Sequence, residues 1–254
     1  MPNAERPVQR ASPADLATLA SDVGPAPMHV GALLRLDGAG VADPDDLVAD
    51  VGRRIRAVPR LRQRLLRTPL GAGRPVWVDV RDFDITDHVE VRSCPGTGDE
   101  RALWDLAAEV VVAPLPPDRP MWRMAIVDGL GSGGVAVVVA FHHVLSDGMG
   151  ALSMLAALVD GGGDPTSAAE EPGWPAPEPD HRELRRDATR ARLAAVRSLP
   201  RRGRQVLAAA AQLRPRNRRR PAPCSLLVPN GATRRIDVVD VELAALHTVA
   251  RERQ

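Results

Sequence analysis

Aromatic side chains are nearly absent from this sequence. The 254 residues include two Phe, four Trp and no Tyr, an aromatic content of 2%. A hydrophobic core of this chain must therefore be built mainly from Val, Leu, Ile and Ala. Proteins that bind single-stranded nucleic acid stack the bases on aromatic rings. The shortage of such rings argues against a nucleic-acid-binding function, and we expect no nucleic acid partner.

Cysteine and long apolar runs are also scarce. Cys94 and Cys224 stand far apart and in no metal-like spacing, which favours free thiols in a reducing compartment and no metal site. The longest apolar runs, residues 110–113 and 135–141, are too short to cross a bilayer. Residues 1–14 lack the apolar stretch of a signal peptide. We therefore expect a cytoplasmic protein whose membrane contact is at most peripheral, on the inner face.

Lysine is missing altogether, so Arg supplies all 34 basic side chains. Fourteen of them lie within residues 181–220, where the only acidic residues are Glu183 and Asp187. The net charge of this segment is therefore +12, although that of the whole chain is +2. The segment fits three interpretations: a solvated helix face, a peripheral contact with anionic lipid, or a nucleic-acid-binding region, of which the last is the weakest.

One segment, residues 141–148, combines a strand end, two histidines and the start of a helix. It reads Phe-His-His-Val-Leu-Ser-Asp-Gly. The apolar run before it is typical of a buried strand, and residues 149–159 have apolar side chains at helical spacing. Ser146 or Asp147 is a candidate N-cap of this helix. Side chains in such a turn can face a cleft while the backbone holds them rigidly.

The pattern of elements divides the chain into three parts. Residues 1–160 alternate short strands and helices, which predicts an α/β domain with one mixed sheet flanked by helices. Residues 161–230 comprise a Pro/Gly linker followed by an Arg-rich helical segment. Residues 231–254 are predicted to start a second domain that is largely missing.

Local patterns predict the elements around the central strand. Residues 121–127 predict a strand antiparallel to the central one, because the connection between them is a short turn. Residues 85–91 and 235–241 predict two further strands. Residues 181–213 predict a helix that breaks or kinks near Pro200.

The segment 141–148 resembles the His-His-x-x-x-Asp-Gly signature of the CoA-dependent acyltransferase superfamily, which includes chloramphenicol acetyltransferase and peptide-synthetase condensation domains. Pro-Met-His-Val-Gly at 27–31 resembles an N-terminal segment of bacterial wax ester synthase/diacylglycerol acyltransferases. Pro-Asp-Arg-Pro-Met-Trp at 117–122 is similar to the Pro-Leu-Trp region of that family, with Met121 where Leu is usual. Pro-Asn-Gly at 229–231, followed by two Arg, matches a segment after the linker.

This resemblance implies a chloramphenicol-acetyltransferase-like domain and covers about the N-terminal half of the family. The family's second domain carries an Asn-Asp motif. The implied activity is transfer of a fatty acyl group from acyl-CoA to diacylglycerol, which makes triacylglycerol, or to long-chain alcohols, which makes wax esters. Acyl-CoA is then a co-substrate, and no cofactor is implied. A membrane or lipid-droplet surface is the expected place of action.

The resemblance also implies roles for individual residues. His143 is the general base, and Asp147 shapes the site through an ion pair with an Arg that the sequence does not identify. Gly148 permits a tight turn at the helix start. Adjacent residues on an extended segment point to opposite sides, so His142 and His143 cannot both reach one substrate atom. His142 is therefore expected to be structural, as are the other histidines, which we interpret as surface or packing residues: His29, His88, His181 and His247.

Two alternatives remain open. In the first, the chain is not itself a complete enzyme: it is a catalytically impaired remnant or an accessory lipid-binding module that needs a separately encoded C-terminal half. A condensation-type acyltransferase that acts on carrier-protein thioesters fits the central motif but not the flanking segments.

Overall fold

The computed structural model describes residues 7–36, 43–146, 148–158, 174–212, 224, 231 and 233–252. The helices are Pro13–Ser21 (α1), Pro44–Arg54 (α2), Glu100–Val112 (α3), Gly148–Ala156 (α4), His181–Gln212 (α5) and Leu243–Glu252 (α6). The strands are His29–Leu36 (β1), Gln63–Leu66 (β2), Val76–Asp79 (β3), Val89–Ser93 (β4), Trp122–Asp128 (β5) and Val135–His142 (β6). Short 3-10 helices occupy Ile55–Ala57, Pro59–Arg62 and Ile85–Asp87.

Four strands form a mixed sheet in the order β1-β6-β5-β4, which confirms the predicted α/β class. The central strand β6 pairs antiparallel with both β1 and β5, whereas β4 pairs parallel with β5. The expected antiparallel pairing of residues 121–127 with the central strand is therefore confirmed. Strands β2 and β3 form a separate two-stranded sheet, so one mixed sheet does not include all the described strands.

The two faces of the mixed sheet have different partners. Alternate residues of β6 face α3, and these are small: Ala136, Val138 and Ala140. The opposite face carries larger side chains of β5 and β6 and packs against the region of α2 and α4. Helix α3 approaches β1 so closely that a Cβ at Gly31 would lie 2.4 Å from Cγ2 of Val111. The distance between β1 and α3 therefore depends on a residue without a side chain.

Of the two further predicted strands, the one at residues 85–91 is confirmed only in its second half, which belongs to β4, and the one at residues 235–241 is absent from the described structure. Within residues 85–91, the first three form a 3-10 helix because the carboxylate of Asp84 accepts hydrogen bonds from the N–H and the hydroxyl of Thr86. Residues 235–241 have no regular secondary structure and pair with no described strand. They are anchored by Arg101, whose guanidinium donates to the carbonyl of Ile236 and to Asp237 at 2.8 and 2.9 Å.

The prediction of a break in the Arg-rich helix is wrong. Helix α5 continues without interruption past Pro200 and Gly203. Its flanking sequence is rich in Ala, Leu, Arg and Gln, which are strong helix formers and offset the one hydrogen bond that a proline removes. The first turns of α5 pack on the small sheet, where Leu184 is buried with Ala72 and Val76.

No helix within the described ranges is both long and apolar enough to span a bilayer. Residues 161–173 of the predicted linker lie outside the described residues, as does Asp147.

Candidate active site

A tight turn at residues 142–145, called the histidine turn below, ends the central strand. The N–H of Leu145 donates to the carbonyl of His142 at 2.9 Å and closes the turn. Its two histidines are held by the neighbouring strands on both sides. The N–H of His142 donates to the carbonyl of Met121 at 2.9 Å, and that of His143 donates to the carbonyl of Met28 at 2.8 Å. The backbone of the turn is therefore tied to the starts of β1 and β5.

The His142 ring uses both of its nitrogens in hydrogen bonds. Nδ1 accepts from the N–H of Val144 at 3.0 Å, so the single proton of the neutral ring must lie on Nε2. Nε2 then donates to Oδ2 of Asp22 at 3.1 Å. The residue is only 4% exposed. This geometry fixes both the tautomer and the orientation of the ring.

Asp22 comes directly after α1 and joins two parts of the site. Its Oδ1 accepts from the N–H of Met28 at 2.9 Å, while its Oδ2 accepts from His142. Burial by itself raises the pKa of the Asp22 carboxyl, but the hydrogen bonds from Met28 and His142 outweigh burial and hold that pKa below its usual value. Asp22 is therefore a carboxylate at neutral pH.

His29 stands beside His142, its partner across strands β1 and β6. The two rings meet edge to face with their centroids 5.9 Å apart. Nδ1–H of His29 donates to the carbonyl of Val111 at 2.8 Å, which satisfies one of the last carbonyls of α3. Burial lowers the pKa of His29 below its ordinary value, so this ring is neutral at physiological pH.

His143 differs from His142 in its surroundings. It follows the last paired residue of β6 and is half-buried, whereas His142 is buried. The different roles assigned to the two rings stay a prediction. Gly148 is the first residue of α4, as expected for a glycine at the helix start. Asp147 lies outside the described residues, so its role and its Arg partner stay predictions.

An apolar cavity lies between the sheet and α4, on the face of β6 opposite His142. The cavity is small: its volume is about 10 Å³, roughly enough for one water molecule. Its lining is entirely apolar: Leu61, Trp122, Met124, Val139, Phe141, Met154, Leu155 and Leu158. Phe141 belongs to this lining and is separated from His143 by a single residue.

The Trp122 indole in this lining is fixed by three contacts. Its Nε1–H donates to the carbonyl of Leu61 at 2.7 Å. The His88 ring stacks on it at 4.6 Å between centroids, and Phe83 stacks on the other side of His88 at 5.2 Å. Nδ1–H of His88 donates to the carbonyl of Trp122 at 3.0 Å. Burial lowers the pKa of His88 below its ordinary value, which favours the neutral ring that this stack contains.

Sequence reasoning did not identify three residues that shape this region. His29 and His88 were interpreted only as surface or packing residues, although His29 lies in the Met-His-Val-Gly segment. Asp22 carries no local signal, because it lies 120 residues from His142 in the sequence. Among the described residues, no group of three or more His, Cys, Asp or Glu side chains is arranged to hold a metal ion.

The fold and the site define an α/β protein with a histidine turn at the end of the central strand of a mixed sheet. The chain belongs to the wax ester synthase/diacylglycerol acyltransferase family, since the model of that family's catalytic domain matches residues 11–253. This membership confirms the resemblance that the sequence motifs indicated.

The matches to individual relatives cover only part of the length of each relative. It is 36% identical over 155 residues to tgs3 of Mycobacterium tuberculosis, named as a probable diacylglycerol O-acyltransferase; the match covers 60% of this chain and 57% of tgs3. It is 33% identical over 133 residues to tgs1 of the same organism, which bears the same description, covering 52% of this chain and 28% of tgs1. The solved wax ester synthase/diacylglycerol acyltransferase of Marinobacter aquaeolei VT8 is 26% identical with a TM-score of 0.49, covering 58% of this chain and 36% of that one.

Proposed function

We propose that this protein acts in an O-acyltransferase that transfers a fatty acyl group from acyl-CoA to diacylglycerol, and to long-chain alcohols. The observation that carries the proposal is the histidine turn. It holds one histidine with both ring nitrogens engaged and leaves the next one half-buried at the strand end. Family membership supports the same reaction class.

His143 is the general base in this proposal. The only lone pair of the neutral His142 ring is already used by the N–H of Val144, so His142 has no site left to accept a proton from substrate. A histidine side chain is suited to proton transfer, and a general base of this kind typically contributes about 10²–10⁴ in rate.

The reaction balances with His143 as the sole protein group that carries a proton. The hydroxyl of the acceptor gives its proton to His143 as its oxygen attacks the thioester carbonyl. The ester C–O bond forms, the C–S bond breaks, and its electron pair goes to sulfur. His143 then returns the proton to the departing CoA thiolate. No metal ion is required by this sequence of steps.

The apolar lining beside the histidine turn suits a hydrocarbon group, but the cavity has room for about one water molecule and would have to open to admit an acyl chain. Its lining contains no polar surface and includes Phe141, two residues before His143. A charged or strongly polar substrate would gain nothing from such a lining.

Activity measurements with a matched histidine control test this proposal. In an assay of diacylglycerol-dependent CoA release, we expect His143→Ala to lower turnover by about 100-fold or more. His247→Ala, an exposed histidine on α6, should leave turnover unchanged. Equal turnover of His143→Ala and the unmodified chain would contradict the mechanism.

The same assay separates the enzyme from an accessory module. Since this chain spans only part of its relatives, the assay is run both alone and with a separately expressed C-terminal half of a family member. CoA release in either format supports the acyltransferase. Lipid binding without CoA release in both formats would instead favour an accessory lipid-binding module.

A further inference from the structure

We infer that Asp22 is a positioning residue that, through His142, holds the histidine turn in the conformation that presents His143. The inference rests on the proposed function for its catalytic meaning, although the hydrogen-bond network itself does not. It assigns a role to a residue that no sequence motif marks.

Asp22 reaches His143 by two routes. The first runs through the backbone: Oδ1 of Asp22 accepts from the N–H of Met28, and the carbonyl of Met28 accepts from the N–H of His143 at 2.8 Å. The second runs through a side chain: Oδ2 accepts from Nε2–H of His142, whose Nδ1 accepts from the N–H of Val144. Both routes end at residues of the histidine turn, one on His143 and one on the residue after it.

The second route requires a particular tautomer of His142. The ring can accept from the N–H of Val144 only if Nδ1 has no proton, and it can donate to Asp22 only if Nε2 has one. Asp22 favours this tautomer because a carboxylate is purely an acceptor. A donor placed at the same point would favour the other tautomer, whose Nδ1–H would face the N–H of Val144.

The two donors at Asp22 explain why this position needs a carboxylate. The N–H of Met28 and Nε2–H of His142 each bond a different oxygen. An Asn in its place would have one acceptor oxygen and one amide NH₂ group. If the oxygen keeps the N–H of Met28, the NH₂ group faces Nε2–H of His142, and two donors then oppose each other.

The surroundings of the ring leave few other ways to hold it. His29 packs edge to face against His142, but its Nδ1–H is committed to the carbonyl of Val111. Loss of the bond to Asp22 would leave the buried Nε2–H without this acceptor, which is costly in a buried ring. We therefore expect the turn, rather than the sheet, to rearrange.

The test substitutes Asp22→Asn in the full chain, in the assay format that shows turnover. We expect kcat to fall by about 10-fold or more with KM for acyl-CoA changed by less than about 2-fold, because the base is misplaced while binding is not. The control is Asp43→Asn, an exposed carboxylate that accepts from the N–H of Asp45 at the start of α2 and lies away from the turn. It should leave both constants unchanged. An Asp22→Asn effect on KM alone would overturn the inference.

A double-mutant cycle distinguishes positioning from simple capping of the chain at Met28. In His142→Asn, the amide oxygen can still accept from the N–H of Val144, but nothing reaches Asp22. Adding Asp22→Asn to this variant should then lower kcat by less than about 3-fold, since the two residues act through each other. An undiminished loss of kcat in this background would show that Asp22 does not act through His142.

Nuclear magnetic resonance of the His142 ring nitrogens provides a measurement that does not depend on activity. We expect the Nε2–H tautomer in the unmodified chain and its loss in Asp22→Asn. An unchanged tautomer in Asp22→Asn would overturn the inference even if kcat fell. If the expected tautomer shift occurs but no format gives turnover, the proposed function fails while the Asp22–His142 network stands.

Discussion

At the residue scale, adjacent histidines acquire different chemistry from their hydrogen bonds. His142 has a fixed tautomer because Val144 and Asp22 occupy its two nitrogens. His143 keeps a half-buried ring one residue further on. The two adjacent imidazoles therefore differ in their surroundings. His142 is buried and stabilises the turn, whereas His143 follows the last paired residue of β6 and is the candidate base.

Two other histidines are buried as neutral rings, and they predict how stability depends on pH. Burial lowers the pKa of His29 and of His88 below the ordinary value of 6.5. Above that value both rings are neutral in the folded and the unfolded chain, so pH has no effect through them. Below it, the unfolded chain binds protons that the folded chain does not, and folding stability falls. We expect the urea midpoint to be constant between about pH 7 and 8 and to decrease as pH drops from about 6.5 to 5.

Variants of single histidines check this assignment. His88→Phe keeps a ring between Phe83 and Trp122 but cannot titrate, so its decrease in urea midpoint should be smaller. His247→Ala removes an exposed histidine and should follow the unmodified chain. A decrease that is the same in all three proteins would exclude His88 as a source of the pH dependence.

At the element scale, the close approach of β1 and α3 depends on Gly31. An Ala there would put its Cβ 2.4 Å from Cγ2 of Val111, and the helix would have to move. We expect Gly31→Ala to lower the free energy of unfolding by about 1–3 kcal/mol, as overpacking does. The same shift would stretch the hydrogen bond from His29 to the carbonyl of Val111.

Two further variants isolate this clash by chemical denaturation. Adding Val111→Ala removes both Cγ atoms and leaves a Cβ at 3.4 Å, an ordinary contact, so the double variant should recover part of the loss. Gly52→Ala on α2 places a Cβ 3.6 Å from Ile85, and it should be neutral or stabilise by about 0.5–1 kcal/mol. No recovery in the double variant would show that the strain lies elsewhere.

Elements were predictable wherever the local pattern agreed with the packing. The central strand and its antiparallel neighbour follow from apolar runs joined by a short glycine turn, and the structure confirms them. The pattern failed where a side chain outside the segment decided the outcome. Asp84 turns residues 85–87 into a 3-10 helix, and Arg101 binds the carbonyl of Ile236 and the carboxylate of Asp237 in a segment that pairs with no described strand. The alternation of apolar and polar residues within a segment does not predict contacts with side chains outside it.

At the scale of the whole molecule, the distribution of charge predicts an anionic surface as a partner. The described part of α5 carries exposed arginines along its length, among them Arg185, Arg186 and Arg190. The early turns of the helix are fixed to the body through Arg10, which pairs with Asp187 at 2.5 Å. The segment is therefore a positively charged helix attached to a folded domain, and such a helix is attracted to anionic lipid.

Vesicle binding tests this partner. We expect the chain to bind vesicles that contain phosphatidylglycerol, with affinity falling steeply as salt rises. Neutralising Arg185, Arg186 and Arg190 with Gln should weaken binding by roughly 100-fold, at about 1 kcal/mol per charge. Neutralising three exposed arginines elsewhere in the chain, namely Arg53 on α2, Arg119 before β5 and Arg251 on α6, should weaken it less. Binding that is independent of salt would contradict this role of α5.

The sequence by itself determined the histidine turn, the strand before it and the family, because these depend on residues that are neighbours in the chain. Only the tertiary structure decided what holds the turn. Asp22, Met28 and Val144 meet around His142 because β1 and β6 pair side by side and α1 ends at their edge. Hydrogen bonds between such distant residues leave no periodic pattern in a sequence. They exist only when the folded backbone brings a donor within about 3 Å of an acceptor.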